Sequence, residues 1–102
     1  MSEICKMITL STAHVSEDSI RLLERDTRSG GYPKAGLVSY QKSDYGFFIY
    51  VPSDEEEWKE TEQEIAREDL KAVAAYARNA GCEWLVLDCD GPKEDTLPLY
   101  EW

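Results

Sequence analysis

The sequence lacks the features that would place this chain in a membrane, in an oxidising compartment or on nucleic acid. No apolar run approaches the ~20 residues that a bilayer-spanning helix needs, and no charged start followed by an apolar stretch marks a signal peptide. Phosphate-binding glycine loops and basic patches with interleaved aromatic residues are absent. We therefore expect a cytoplasmic domain that contacts neither membrane nor nucleic acid directly.

Cysteine is scarce and unpaired in its spacing. Cys5, Cys82 and Cys89 form neither an even disulfide set nor a metal-binding pattern. Each lies in or beside an apolar segment, where a cysteine behaves as a small hydrophobic residue. We expect free structural thiols, because a reactive thiol needs a cationic neighbour and only Lys6 is near.

Enough apolar residues are present for one core. The 102 residues include three Trp, six Tyr and two Phe, and this length is typical of one compact domain. We expect a single domain over residues 1–102, with an acidic insertion at about 53–64 and a short C-terminal tail at 89–102.

The acidic charge is confined to one half of the chain. Twenty-one Asp and Glu oppose eleven Lys and Arg, for a net charge of −10, and residues 1–53 are balanced. The densest stretch, residues 54–69, carries nine acids against Lys59 and Arg67. Such a stretch is either a solvated face that maintains solubility or a surface that docks on a basic partner.

Hydrophobic periodicity and turn residues predict the element order β-α-β-β-α-β. Ser16 is the expected N-cap of the first helix, and capping-box patterns at Ser53 and at Thr61 compete for the start of the second. The predicted elements are a strand at Ile4–Ser11, a helix at about Glu17–Thr27, a hairpin of Gly36–Gln41 and Tyr45–Val51, a helix at Thr61–Asn79 and a strand at Glu83–Asp88.

This order predicts an α+β fold, a ferredoxin-like split sandwich with two helices on one face of a single small sheet. The other face would be open, or covered by the acidic insertion and the tail. A looser α+β arrangement with mixed strand directions is the alternative.

One segment carries residues suited to chemistry. Leu85–Gly91 resembles the opening motif of haloacid-dehalogenase-type phosphatases, which implies a nucleophilic Asp88, a proton-handling Asp90 and a bridging magnesium ion. Only twelve residues follow Asp90, whereas that family builds a whole domain downstream. We therefore expect no cofactor, and keep a small metal-dependent phosphoesterase as the alternative function.

His14 is the only histidine. In a ferredoxin-like sheet the first and last strands are antiparallel neighbours, which would put His14 and Asp88 on the order of 20 Å apart. We therefore predict no shared metal site, and a hydrogen-bonded or capping role for His14.

The acidic stretch supplies the candidate partner-binding residues. Trp58 stands alone among the acids, where it is either an exposed anchor for a basic partner or folds back onto the open sheet face. The set comprises Asp54, Glu55, Glu56, Glu57, Trp58, Glu60 and Glu62.

Four segments, Ile8–Glu24, Tyr45–Pro52, Gly81–Gly91 and Leu97–Trp102, resemble a family of small uncharacterised proteins carried by bacterial prophages and plasmids. Asp54–Glu64 looks like a variable insertion within that family. The resemblance implies a mobile-element setting, in which small acidic proteins often inhibit host defence. We therefore expect a non-enzymatic protein that covers the basic surface of a host nucleic-acid-binding machine, such as a CRISPR complex or a restriction enzyme. A homo-oligomeric structural role through the open sheet face is a further alternative.

Overall fold

The computed structural model describes residues 4–29, 33–43 and 46–100. The turn of the predicted hairpin falls partly outside these residues. Along the chain the elements are β1 (Met7–Ser11), a 3-10 turn (Thr12–His14), α1 (Glu17–Ser29), β2 (Ser39–Ser43), β3 (Gly46–Tyr50), α2 (Glu55–Glu64), α3 (Glu68–Asn79) and β4 (Trp84–Asp88).

The four strands form one mixed sheet in the order β1-β4-β3-β2. β4 runs parallel to β1 and antiparallel to β3, and β2 completes the hairpin with β3. The α+β class is confirmed, but the ferredoxin-like strand arrangement is wrong. The two terminal strands are neighbours, as predicted, yet they are parallel.

The direction of β4 follows from the two helices, α2 and α3, that connect β3 to β4, where the sequence predicted one helix. The predicted helix Thr61–Asn79 is two helices, because α2 begins at Glu55 and ends at Glu64, and α3 begins at Glu68. A single helix would return the chain to the start of β3 and make the next strand parallel to it. Two helices reverse the chain twice, so Trp84 enters the sheet beside Tyr50, where β3 ends.

The break between α2 and α3 is fixed by a distant loop. Ala66 N–H donates to the carbonyl of Ala35 at 3.0 Å. Gly36, at a φ of +85°, lies so close that a Cβ there would be 2.2 Å from the carbonyl oxygen of Glu64. α2 therefore ends at Glu64, and the next residue, Ile65, is buried in the core.

One face of the sheet packs against all three helices. Leu10, Leu85 and Ile49 point inward from three strands, and Leu23, Trp58 and Val73 meet them from α1, α2 and α3 in one apolar cluster. α2 therefore lies on the helical side, and the alternative in which the acidic insertion covers the other face is wrong.

The opposite face, here called the outer sheet face, is bare of helices. Strand register places its side chains in two rows across the sheet. The first row holds Met7, Trp84 and Tyr50, and the second holds Thr9, Val86, Phe48 and Tyr40. No helix in the described part of the chain is long and apolar enough to cross a membrane.

Candidate functional site

The acidic residues that the sequence singled out lie on one short helix, α2, with a defined start. Asp54 is its N-cap, and the Asp54 carboxylate accepts a hydrogen bond from Glu57 N–H at 3.0 Å. Glu55, Glu56 and Glu57 fill the first turn, where the positive end of the helix dipole stabilises carboxylates. The acidic insertion is therefore an ordered element of the fold.

The second half of α2 is also acidic, although carboxylates near the C-terminal end of a helix destabilise it. Glu62 and Glu64 lie near the negative end of the dipole, and no basic residue occupies the last turn. Glu56 and Glu60 are spaced i,i+4, where like charges repel by a few tenths of a kcal/mol. Lys59, 3.8 Å from Glu55, is the only base in the helix, and both side chains of that pair are solvent-exposed. The intrinsic stability of the helix therefore does not explain its charge.

Trp58 attaches this helix to the domain. Its side chain is 7% exposed and belongs to the core cluster, and the Arg78 guanidinium lies 5.5 Å from the ring centroid. The prediction of an exposed anchor is therefore wrong, and so is the alternative that Trp58 folds onto the outer sheet face. Spacing could have shown this, because Trp58 and Ile65 lie seven residues apart on one helical stripe.

The remaining candidate side chains share one property. Five are exposed and the sixth, Glu62, is half-buried. Residues 54–64 carry seven acids and one lysine. At a rise of about 1.5 Å per residue this is roughly one net negative charge per 2.8 Å, between the ~3.4 Å of one nucleic-acid strand and the ~1.7 Å of a duplex. α2 thus has the linear charge density of a nucleic acid backbone.

A buried polar cluster, which the sequence analysis missed, joins the start of α3 to the start of α1. Asp69 is 8% exposed, and its carboxylate accepts hydrogen bonds from Ser16 N–H at 2.6 Å and from the Ser19 hydroxyl at 2.7 Å. Arg67 Nε donates to the Ser19 hydroxyl at 3.2 Å. Burial alone would raise the pKa of Asp69, but the hydrogen bonds from Ser16, Ser19 and Leu70 outweigh it and lower the pKa.

This cluster holds the two helices together and shows no feature of a catalytic site. Ser16 is the N-cap of α1, as predicted, since its hydroxyl accepts from Ser19 N–H at 3.3 Å. Asp69 supplies a charge at the same helix start, where the dipole favours it. Within the described network, the only group that could accept a proton from either serine as a general base is this carboxylate. A partial signal was present in the sequence, since Glu68 and Asp69 open a helix.

The structure brings Asp88 and Asp90 together at the end of β4. Ligand atoms of Asp88, Cys89 and Asp90 lie within 4.8 Å of one another. Both oxygens of Asp88 are already engaged, because Asp90 N–H donates to one at 2.9 Å and Lys42 Nζ to the other at 3.0 Å. These bonds lower the pKa of Asp88. The carboxylate that would have to attack phosphorus is therefore held by an ammonium group in a solvated turn.

None of the three cysteines forms a disulfide within the described residues, as predicted. Cys82 packs partly against the core, but Cys5 and Cys89 are exposed, so the expectation that all three serve as core residues is wrong for these two. Desolvation, followed by the charges of Asp90 and Asp88, raises the pKa of the Cys89 thiol. This lowers the thiolate fraction of Cys89 and makes it a poor nucleophile.

The side chain of His14 hydrogen-bonds the main chain of the C-terminal segment and holds that segment against the domain. The ring is 1% exposed. Its Nδ1 lies 2.9 Å from the carbonyl oxygen of Pro98, and its Nε2 accepts from Glu94 N–H at 2.8 Å. Because a carbonyl only accepts, the hydrogen is on Nδ1 and the ring is the neutral tautomer. The predicted hydrogen-bonded role is confirmed.

The predicted separation of His14 from Asp88 rested on antiparallel strands and is wrong. In the parallel pair Ser11 lies opposite Asp88, so the ends of β1 and β4 share one edge of the sheet. His14 nevertheless has both ring nitrogens occupied by main-chain groups. The histidine therefore offers no ligand to a metal at Asp88.

A family model matches this chain, whereas no curated protein and no solved structure does. Residues 7–102 match the model of the C-terminal domain of a family of unknown function, DUF5983. The match covers the whole sheet, all three helices and the acidic segment that resemblance alone had set apart as an insertion. The chain therefore belongs to the DUF5983 family, as its C-terminal domain.

Proposed function

We propose that this domain is a non-enzymatic interaction protein whose acidic helix α2 occupies a basic, nucleic-acid-binding surface of another protein. The observation that carries the proposal is the acidic second half of α2, where Glu62 lies near the negative end of the helix dipole and Glu60 repels Glu56 one turn away. Features that cost local stability are expected at functional sites.

The manner in which α2 is mounted supports the same conclusion. Trp58 and Ile65 bury one stripe of the helix, and Asp54 fixes its first turn. The carboxylates thus project from a rigid element, which reduces the entropy lost when a partner binds. A helix with the charge density of nucleic acid competes for surfaces built to bind phosphates.

The finer proposal is a mobile-element protein that acts in the bacterial cytoplasm on a defence machine, such as a CRISPR complex or a restriction enzyme. Its support is the charge pattern together with the resemblance to proteins of prophages and plasmids. Phage plaque formation on a defence-protected strain tests it. The wild-type domain should increase plaque numbers and a variant with a neutralised α2 should not.

The binding experiment compares two variants of equal charge. One carries Glu56→Gln, Glu60→Gln and Glu62→Gln on α2, and the control carries Asp18→Asn, Glu24→Gln and Asp95→Asn elsewhere. Each immobilised protein is exposed to nuclease-treated bacterial extract. We expect the wild type and the control to retain basic nucleic-acid-binding proteins that salt releases, and the α2 variant to lose them, because exposed charges are screened within ~8–10 Å.

The purified captured protein then provides the decisive measurement. The domain should displace nucleic acid from it, and the α2 variant should do so far more weakly. Retention of the same proteins by both variants, or a captured protein with no affinity for nucleic acid, would contradict the proposal.

A further inference from the structure

The outer sheet face is an apolar surface that no helix of the described residues covers. Met7 at one edge and Tyr40 at the other are 53% and 57% exposed. Trp84 lies between them, with its ring centroid 6.2 Å from that of Tyr40 and 5.5 Å from that of Tyr50. Aromatic rings packed side by side across a sheet form a flat, firm surface, and exposed apolar patches of this kind mark interaction sites.

This face is also free of net charge in a chain of net charge −10. Its two rows contain no acid and no base. Desolvation, with the nearby charges of Glu57 and Glu83, raises the pKa of Tyr50, so this phenol stays neutral. Where charge does begin, one residue pair further along the strands, Lys42 and Asp88 neutralise each other at 3.0 Å.

We propose that the outer sheet face binds a second copy of this chain, sheet against sheet, in a two-fold symmetric dimer.

The charge distribution selects a second copy as the occupant. In a two-fold interface the same patch meets itself, so any net charge on the patch would face its own sign. The two rows of the outer sheet face carry no charged side chain, so the repulsion within the patch is limited to acids at its border, such as Glu57 and Glu83 near Tyr50. The acidic helix α2, whose Trp58 packs into the core on the opposite side of the sheet, lies on the outside of each half of such a dimer. Two highly acidic chains can thus approach each other through this face more readily than through the helical side.

The dimensions of the face set the strength of the contact. Four strands about 4.8 Å apart and five residues long, at about 3.4 Å each, make a face of roughly 19 by 17 Å. Two such faces together bury roughly 650 Å², well below the ~1,200 Å² at which stable specific interfaces begin, so the contact is a weak one. The dimer is therefore expected to depend on concentration and to dissociate on dilution.

Sedimentation velocity measures the prediction directly, from about 1 µM to about 1 mM protein, the range in which weak complexes form. The mass should rise from the 11.7 kDa of one chain towards twice that value. Tyr40→Glu adds a carboxylate to the apolar patch of both copies and should stay monomeric throughout. Leu99→Glu is the matched control, since Leu99 is 58% exposed but lies in the C-terminal segment, and it should dimerise like the wild type.

A second variant and a salt series complete the test. Met7→Lys introduces the opposite charge at the other edge and should also be monomeric, with the circular dichroism of each variant reporting its fold. Added NaCl should strengthen the dimer by screening the repulsion between chains, whereas it weakens binding of α2 to a basic partner. The two proposals can therefore fail separately.

Three results would overturn the dimer. They are a wild type that is monomeric up to about 1 mM, a folded Tyr40→Glu variant that dimerises as the wild type does, and a Leu99→Glu variant that is monomeric. A monomeric wild type whose Met7 methyl signal shifts when an apolar dye is added would assign the face to a small apolar ligand instead.

Discussion

At the residue scale, Trp58 couples the acidic surface to the core. Its ring fills space between α2 and α3 beneath the Arg78 guanidinium. Trp58 was predicted from the sequence as a candidate contact for a partner. In the structure it instead sets the position of the acidic helix α2. Its effect on any partner is indirect, through the position of α2.

Trp58→Ala should destabilise the domain by about 3–5 kcal/mol, because it removes a buried aromatic side chain and leaves a cavity. Urea unfolding followed by circular dichroism measures the change. Leu99→Ala, at an exposed site, should cost no more than about 0.5 kcal/mol. A Trp58→Ala variant as stable as this control would show that the ring does not belong to the core.

Asp69 makes a second residue-scale prediction, on pH. Its folded-state pKa is lowered, so its contribution to stability is complete above the unfolded value of about 3.9 and is lost as pH falls through the folded pKa. Asp69→Asn should cost about 1–3 kcal/mol at neutral pH, and the difference from the wild type should shrink on acidification below pH ~4. Urea unfolding at several pH values tests this.

The exposed Asp95→Asn variant is the control for that series. It should follow the wild-type profile in acid. A constant difference between wild type and Asp69→Asn across the acid range would contradict the role given to the Asp69 carboxylate.

At the element scale, local patterns predicted most of the parts. α1, with its Ser16 cap, the aromatic hairpin and the apolar final strand follow from periodicity and turn residues in their own segments. The division between α2 and α3 does not, because it depends on Ala35 and Gly36 meeting Ile65 and Ala66 from some thirty residues away. Because α2 and α3 were predicted as one helix, the predicted direction of β4 and the predicted distance between His14 and Asp88 were both wrong.

The candidate site shows the same division between local and distant causes. The acids of α2 are exposed apart from the half-buried Glu62, as a run of charge predicts. The burial of Trp58 depends on packing against other elements, and the Asp69 cluster joins residues about fifty positions apart. Neither arrangement leaves a local signature strong enough to identify it.

Two glycines test the helix junction. Gly36 and Gly81 both have positive φ, of +85° and +82°, but a Cβ at Gly81 meets nothing within 4 Å. Gly81→Ala should therefore cost only the backbone strain, about 1–2 kcal/mol. Gly36→Ala adds a clash with the carbonyl of Glu64 and should cost about 1–3 kcal/mol more.

Urea unfolding of the two variants side by side measures this difference, and chemical shifts of residues 64–67 report the junction itself. Equal destabilisation by the two substitutions would mean that Gly36 does not fix the break between α2 and α3.

At the scale of the whole molecule, the net charge of −10 is unevenly distributed. Acidic side chains that repel one another are concentrated on α2, whereas the two rows of the outer sheet face carry no charged side chain. Screening should therefore stabilise the domain. Relief of several like-charge contacts of a few tenths of a kcal/mol each gives about 1 kcal/mol, or a rise in Tm of about 4–8 °C in NaCl.

Thermal unfolding of dilute protein in increasing NaCl tests this prediction. The variant with Glu56, Glu60 and Glu62 replaced by Gln should have a higher Tm in low salt and a smaller rise with salt. The Asp18, Glu24 and Asp95 control should keep more of the wild-type response. An identical salt response in the two variants would place the repulsion elsewhere in the molecule.

The position of β4 in the sheet bears on how the domain folds as it is synthesised. Of the described strands, β4 is the last to leave the ribosome, yet it lies between β1 and β3 and pairs with both. Until residues 84–88 emerge, β1 has no partner strand and the β2–β3 hairpin has an unpaired inner edge. Contacts this distant in sequence form slowly, and unpaired edges favour association with other chains. A nascent chain halted before Trp84 should therefore hold its helices and hairpin without the sheet, and should be the form of this protein that chaperones bind.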